Sequence, residues 1–260
     1  MQIVTWNVAG LRAMLKKEHL KEFLENVEYD IICLQETKAE ESQVKLPEYI
    51  QKNYPFKIWN SSKGTTQRKG FSGTTIWSKI EPMNMFIPDF DEEGRICVIE
   101  FDKFRVINVY VPNSQKFENE RYYFRQEWNK KFSVFIESLK DKEIIICGDL
   151  NVAHLDIDIC NPKQKKNKIP GFFDFERDDY SNFINDLDLI DVFRDKNPRV
   201  QKSTYWSNFL KSERSQQNGW GIDYFVCSKL IYREIDDINI KMNILGSDHC
   251  PMILKLKYYK

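Results

Sequence analysis

The chain has 260 residues, and 39 Lys and Arg balance 39 Asp and Glu for a formal net charge of zero. With 42% hydrophobic and 30% charged residues it has the composition of a globular chain, which excludes a disordered one, and its length fits one large domain or two small ones. No apolar run approaches the ~20 residues that span a bilayer, and the balanced charge excludes a uniformly basic coat but leaves room for a basic patch.

Short β-branched and aromatic runs of strand length recur at 2–6, 30–34, 56–59, 73–77, 95–101, 104–111, 143–147, 203–206, 223–227 and 251–257. The first, Gln2 to Trp6, begins at once, with no basic n-region or apolar h-region, so no export signal is expected. Leu11 to Val27 sets Leu11, Leu15, Leu20, Phe23 and Leu24 mostly on one face of a predicted helix. Runs 95–101 and 104–111, joined by Asp102-Lys103, read as an antiparallel hairpin. A second helix is predicted over Phe117 to Leu139, where Tyr123, Trp128, Phe132, Phe135, Ile136 and Leu139 recur at helical spacing. Asn161 to Gly171 carries two prolines, four lysines (Lys163, Lys165, Lys166, Lys168) and no acid, and reads as a basic loop suited to a polyanion. A third helix is predicted over Asp178 to Asp188, with Phe183, Ile184 and Leu187 as its apolar face. The mixture predicts an α/β or α+β arrangement. No linker composition or strict repeat divides it, so one two-sheet domain over 1–260 is expected.

The six cysteines, Cys33, Cys97, Cys147, Cys160, Cys227 and Cys250, form no CxxC pair and have no zinc-finger spacing. Cys33, Cys147 and Cys227 lie inside apolar runs, and all are read as buried free thiols of a reducing compartment.

Several apolar strands end in polar residues that hydrophobic patterning does not explain. Asn7 follows Ile3 to Trp6; Gln35-Glu36 follow Ile31 to Leu34; Asn113 follows Val106 to Val111 and Pro112. Asp149 and Asn151 follow Ile144 to Cys147; Asp223 precedes Tyr224 to Val226; Asp248-His249 precede the last run. If these ends converge on one rim, the set is oxygen-rich and sulfur-free, which suits Mg²⁺, with Mn²⁺ as the alternative, and not Zn²⁺. His249, alone among carboxylates, fits acid/base or electrostatic work, whereas His19 and His154 read as structural or surface residues.

The blocks around these residues resemble the exonuclease III/AP endonuclease family of the endonuclease–exonuclease–phosphatase superfamily over nearly the whole chain. They include Thr5 to Ala13, Leu34-Gln35-Glu36-Thr37-Lys38, Gly70 to Gly73, Tyr110-Val111-Pro112-Asn113 and Gly148 to His154. They continue with Asn161-Pro162-Lys163, Gly219 to Tyr224 and Leu245 to Pro251. The resemblance implies a four-layer α/β sandwich of the DNase I-like kind. Two mixed β-sheets would pack face to face, with helices on both outer faces and a cleft at one end. It implies metal-dependent hydrolysis of the phosphodiester 5′ to an abasic site in duplex DNA, leaving a 3′-hydroxyl and a 5′-deoxyribose phosphate. Activity at DNA 3′ ends, as an exonuclease or phosphodiesterase, is also implied.

By this resemblance Glu36 is the principal Mg²⁺ ligand, with Asn7 and Asp248 near the metal. Asp149 activates the attacking water, Asn151 holds it, and His249, oriented by Asp223, donates to a phosphate oxygen. Tyr110 and Asn113 are further phosphate-side donors. Tyr205, Trp206 and Trp220 would wall the abasic pocket, and Phe209 would wedge into the duplex. Arg12, Lys38, Arg68, Lys69, Gly70, Phe71 and Lys116, with Lys163, Lys165, Lys166 and Lys168, are expected on the DNA backbone. The chain departs from the family at Ala9, where Asp or Asn is usual, and at Gly221, where Arg or another bulky residue is usual. Weaker metal binding and a less rigid pocket wall are therefore expected. Two alternatives stand beside the repair nuclease: a relative acting on phosphoinositide, sphingomyelin or RNA, and a weakly active DNA-binding relative. The expected chain is a monomer with no membrane partner, intracellular, cytoplasmic if its source is prokaryotic and nuclear if it is eukaryotic.

Overall fold

A computed structural model describes residues 1–25, 28–64, 70–207, 214 and 218–257. Its strands are β1 (Gln2–Asn7), β2 (Ile31–Gln35), β3 (Phe56–Asn60), β4 (Thr74–Ser78), β5 (Asn84–Phe86), β6 (Ile96–Glu100), β7 (Phe104–Tyr110), β8 (Glu143–Asp149), β9 (Leu189–Asp191), β10 (Asp223–Ser228), β11 (Ile235–Ile240) and β12 (Met252–Leu256). They form two six-stranded sheets, in the orders β11-β12-β1-β2-β4-β3 and β5-β6-β7-β8-β10-β9. Both sheets are mixed: β1 with β2 and β7 with β8 are parallel, and the remaining pairs are antiparallel.

The apolar runs are continuous because each central strand is buried on both faces. In β8, Ile145 and Cys147 face the other sheet and meet Ile3, Ile31, Cys33 and Ile76 between the layers. Ile144 and Ile146 point outward onto Trp128, Phe132 and Ile136. Across the sandwich Val4, Trp6, Ile32 and Leu34 pack outward onto Leu11, Met14, Leu20 and Phe23. Helices α1 (Leu11–Met14), α2 (Glu18–Glu25) and α3 (Glu48–Asn53) cover one outer face, and α4 (Glu120–Ser138) and α6 (Asp174–Asp186) cover the other; α5 (Pro162–Lys165) buries no residue, and α7 (Val192–Lys196) and α8 (Lys229–Tyr232) add Val192 and Ile231 to the core between the sheets. The result is the expected four-layer sandwich. All six cysteines are buried and free. No helix among the described residues is long and apolar enough to cross a membrane.

A buried polar bridge joins the sheets. Gln35 Nε2 donates to Thr5 Oγ1 and, across the interface, to Asn108 Oδ1 at 2.6 Å. Asn108 Nδ2 donates in return to the carbonyls of Leu34 and Thr75, each at 2.9 Å.

Four details differ from the sequence reading. The helix expected over 11–27 is broken into α1 and α2, because the Lys17 amide turns back to Met14 O (3.0 Å). The third helix starts at Asp174, where the buried Glu176 accepts from Phe173 N and Ser114 Oγ. The basic loop contains one helical turn, α5, started by Pro162. The run 203–206 is not a ladder strand: the amides of Thr204 and Tyr205 both reach Trp220 O, and that of Trp206 reaches Asp248 O. These residues tie together three loops at the cleft.

The topology places the polar strand ends together. Asn7, Gln35, Tyr110 and Asp149 close the C-terminal ends of β1, β2, β7 and β8, all neighbours in parallel pairs. Asp223 opens β10 directly opposite Asp149, and Asp248-His249 lead into β12 beside β1.

Candidate active site

Asn7, fully buried, is the central clamp. Its Nδ2 donates to Glu36 Oε1 (3.0 Å) and to Asp149 Oδ2 (2.9 Å), and its Oδ1 accepts from Ala9 N (3.0 Å). Two carboxylates from different sheets are thereby held side by side. Asp149 Oδ1 accepts from Asn151 N (2.9 Å), and the Asn151 amide donates to Val111 O and accepts from Asn113 Nδ2 (3.0 Å). Gly148 permits this crowding: its φ is +142°, and an added Cβ would lie 1.9 Å from Val109 O. Ala9, Glu36, Lys38 and Asn151 all have left-handed φ, between 48° and 52°. Such backbone strain clusters where side chains are aimed at a site.

On the opposite wall His249 Nδ1 meets Asp223 Oδ2 at 2.8 Å, and its Nε2 stands 3.8 Å from Asp149 Oδ2. Asp223 is itself fixed, since its amide and that of Ile222 both donate to Thr204 Oγ1 at 3.1 Å. Burial opposes charge on His249, but Asp223, Asp149 and Asp248 outweigh it and push its pKa up to about 10. Burial raises the Asp149 carboxyl, and the neighbouring Asp223 and Glu36 charges add to this against the pull of His249. Burial acts the same way on Glu36, but Lys38, whose Nζ lies 2.7 Å from Oε2, and Asn7 hold its carboxyl below the usual range. Burial and the Glu36 charge drive the Tyr110 phenol well up, so it stays a donor.

Glu36, Tyr110, Asp149, Asn151 and His249 line one cleft of about 200 Å³ with Asn113, Asp248, Tyr205 and Trp220, and Asn7 and Asp223 stand behind them. Tyr205 packs edge-on to Trp220 (5.9 Å) and tilts over His249 (4.8 Å). The donor set fits a hard divalent cation. Glu36 opens to the cleft with Asn7 and Asp149 adjoining it, and among the described residues none that lines the cleft carries sulfur. Asp149, Asp223 and His249 also bring ligand atoms within 4.8 Å of one another, but the Asp223–His249 hydrogen bond occupies Nδ1.

The remaining sequence expectations divide. Trp206 does not line the cleft. It is 6% exposed, lies behind the wall and carries the Arg214 guanidinium 4.9 Å over its ring. Lys38 is the counter-ion of Glu36, and Lys166 pairs with Asp174 at 3.2 Å, so the basic loop is partly neutralised by an acid just beyond it. Lys165 Nζ contacts Cys160 Sγ and sits 5.0 Å over the Trp220 ring. Lys116, Lys163 and Lys168 are exposed. Arg12 reaches Lys38 O (3.5 Å), and Lys38 N pairs with Ser72 O, which brings the Gly70-Phe71 turn to the same rim. Phe71 lies against Arg95 and Arg121. Arg68, Lys69 and Phe209 lie outside the described residues. Gly221 is not a loose point. Its amide donates to Asp158 O (2.7 Å), and an added Cβ would press on Lys202 O at 3.0 Å.

Sequence reasoning missed Ile222, Pro170 and Gly171 in the cleft lining, and Arg214, whose guanidinium donates to the carbonyls of Met242, Ile244, Ser247 and His249. Ile222 reads as core because it is one: it packs with Ala153, Ile159 and Phe172 beneath Tyr205 and Trp220. Arg214 carries no signal in a polar stretch. Its partners are all backbone carbonyls.

A sandwich whose strand ends gather carboxylates, amides and a carboxylate-paired histidine in one cleft defines a phosphodiester hydrolase class. The chain belongs to the endonuclease/exonuclease/phosphatase family, whose model matches residues 4–249. It is 38% identical over 262 residues to an exodeoxyribonuclease of Bacillus subtilis, covering 98% of each chain. It is 36% identical to the DNA repair nuclease APEX1 of Danio rerio, over 98% of this chain and 82% of that one. The fold matches an AP endonuclease from Archaeoglobus fulgidus with a TM-score of 0.87 at 24% identity, over 99% and 100% of the two chains. The resemblance read from the sequence is borne out at the level of family and fold.

Proposed function

We propose that this chain is a DNA repair nuclease that hydrolyses the phosphodiester 5′ to an abasic site in duplex DNA and also acts at 3′ ends. The observation that carries the reading is the joining of two half-sites in one cleft. The Asn7-clamped pair Glu36 and Asp149 faces the Asp223–His249 pair, beside the aromatic wall of Tyr205 and Trp220. The chain's full-length similarity to an exodeoxyribonuclease and to a DNA repair nuclease supports it.

Glu36, Asn7 and Asp248 would hold Mg²⁺, or Mn²⁺ in its place. When bound, the ion supplies charge neutralisation at the phosphate. The chain's own groups do the rest. Asp149, with Oδ1 held by the Asn151 amide, accepts a proton from the attacking water. The raised carboxyl keeps it a base strong enough for that transfer. His249, kept charged by Asp223, donates from Nε2 to a non-bridging phosphate oxygen. Tyr110 and Asn113 donate from the facing rim. Tyr205, Trp220 and Ile222 exclude a normal nucleotide while accepting a baseless sugar, whose extrusion costs least. Lys116, Lys163, Lys165 and Lys168, with Arg12, would contact the backbone. We take 1–260 as one domain, supported by the sheet that pairs β1 with β12.

The test is strand incision in Mg²⁺ of a duplex carrying an abasic analogue. Wild type should cut it, and Asp149→Asn should lose at least about 10³-fold in rate. Equal rates for the two proteins would overturn the assignment.

A further inference from the structure

Beside the cleft, outside the abasic pocket, stands an aromatic platform that the reaction above does not use. Phe117 is 57% exposed and Tyr123 is 54% exposed, although both sit in a continuous aromatic group. Phe117 contacts Tyr122 (5.2 Å) and Phe173 (5.7 Å), and Tyr122 contacts Phe175 (4.4 Å) and Tyr123 (5.4 Å). Phe173 anchors the group, being 2% exposed. Single exposed aromatics are ordinary, but a contiguous set is a binding surface.

The chain connects the platform to the cleft rim at two points. Asn113, which lines the cleft, accepts from Gln115 N (2.8 Å) at the start of the turn that presents Phe117. Gly171, also in the lining, is two residues before Phe173, with the buried Phe172 between them. The turn holds Phe117 in place, with Gln115 and Glu118 on either side at φ 57° and 55°, and Asn119 caps α4 by accepting from Tyr122 N (2.9 Å). The charge around the platform is mixed. Lys116 is exposed beside Phe117, but so are Glu118 and Glu120, and burial, with the charges of Glu118, Glu176 and Asp179, raises the Tyr122 phenol. On the far side the lysine loop is clipped to Asp174, between Phe173 and Phe175, through Asn167 (2.7 Å, both ways) and Lys166 (3.2 Å), so Lys166 is already paired. Rigid, exposed aromatic faces are the part of single-strand recognition that this surface supplies, because every base has a π-face to stack; Lys116 is the cation at hand for a phosphate.

We infer that Phe117, with Tyr122 and Tyr123, forms a stacking site for unpaired bases of the DNA strand that enters the cleft. The site would favour substrates whose lesion is flanked by unpaired nucleotides over fully paired duplex. The inference rests on the nuclease reading for the presence of DNA in the cleft and adds a second subsite to it.

The experiment compares the full-length wild type with Phe117→Ala and Phe117→Trp. Binding is measured in EDTA, to prevent cleavage, on two DNAs: a fully paired duplex with an abasic analogue, and the same duplex with unpaired 2-aminopurine and thymine flanking the analogue. Wild type and Phe117→Trp should bind the unpaired flank about 5- to 100-fold more tightly and change 2-aminopurine emission. Phe117→Ala should lose that preference while keeping its affinity for the paired duplex. Equal wild-type affinities for the two DNAs, or a Phe117→Ala loss that is the same on both, would overturn the inference. Incision of the paired duplex in Mg²⁺ separates the two readings. Cutting without a flank preference removes only the stacking site, and a flank preference without cutting removes only the nuclease assignment.

Discussion

Ala9 stands where the family resemblance leads one to expect Asp or Asn, and its backbone shows what an alanine costs there. At φ 48° it occupies the left-handed region, which costs an ordinary L-residue about 1–2 kcal/mol and which Asn and Asp tolerate best. Ala9→Asn should therefore raise stability by about 1 kcal/mol, read as a higher urea midpoint at unchanged m-value. In parallel, Ala9→Asp should saturate at lower Mg²⁺; an unchanged midpoint and unchanged Mg²⁺ dependence would refute both effects. The His249–Asp223 pair gives the pH prediction. With its pKa raised from 6.5 to about 10, His249 contributes stability that is complete below pH 6.5 and lost as pH rises through about 10. Asp223→Asn removes the foremost raising charge. The alkaline limb of the pH–rate profile should then move to lower pH, with the rate down about 10²-fold or more; a limb in its original place would count against the pairing. Both halves of this site were legible as polar ends of apolar runs. Thr204 and Arg214 were not, because each acts through backbone groups of loops distant in sequence.

Among the elements, the strands that carry the site were the easiest to read, since burial on both faces leaves unbroken Ile and Val runs. The strands not foreseen, β5, β9 and β11, lie at or beside sheet edges. Two of them are three residues long, and β11 exposes Asp236 and Asp237 at its centre, so no apolar run announces them. The broken first helix and the turn α5 follow from local hydrogen bonds that periodicity does not encode. Asn108 in β7 is the polar exception inside the sandwich, and its bonds to Gln35, Leu34 O and Thr75 O fix how one sheet sits on the other. Asn108→Ala leaves these groups buried without their partner and should cost about 3 kcal/mol. Chemical denaturation measures it, and a loss under 1 kcal/mol would show that the bridge does not hold the sheets.

For the molecule as a whole, the balanced charge of the opening arithmetic hides a local concentration of acids. Acids gather at the cleft, where Glu36, Asp149 and Asp248 line it and Asp223 backs His249, and two lysines stand at its rim, Lys38 on Glu36 and Lys165 over Trp220. The balance therefore does not conflict with a polyanionic substrate. The central claim is hydrolysis on the 5′ side of an abasic site, and the chemistry of the cut ends tests it most directly. A 3′-labelled and a 5′-labelled duplex with one abasic site, incubated with the protein and Mg²⁺, should yield a 3′-hydroxyl that a polymerase extends and a 5′-deoxyribose phosphate on the other fragment. A 3′ end that still carries the sugar or its remnant and cannot be extended would place the cut on the other side and contradict the account.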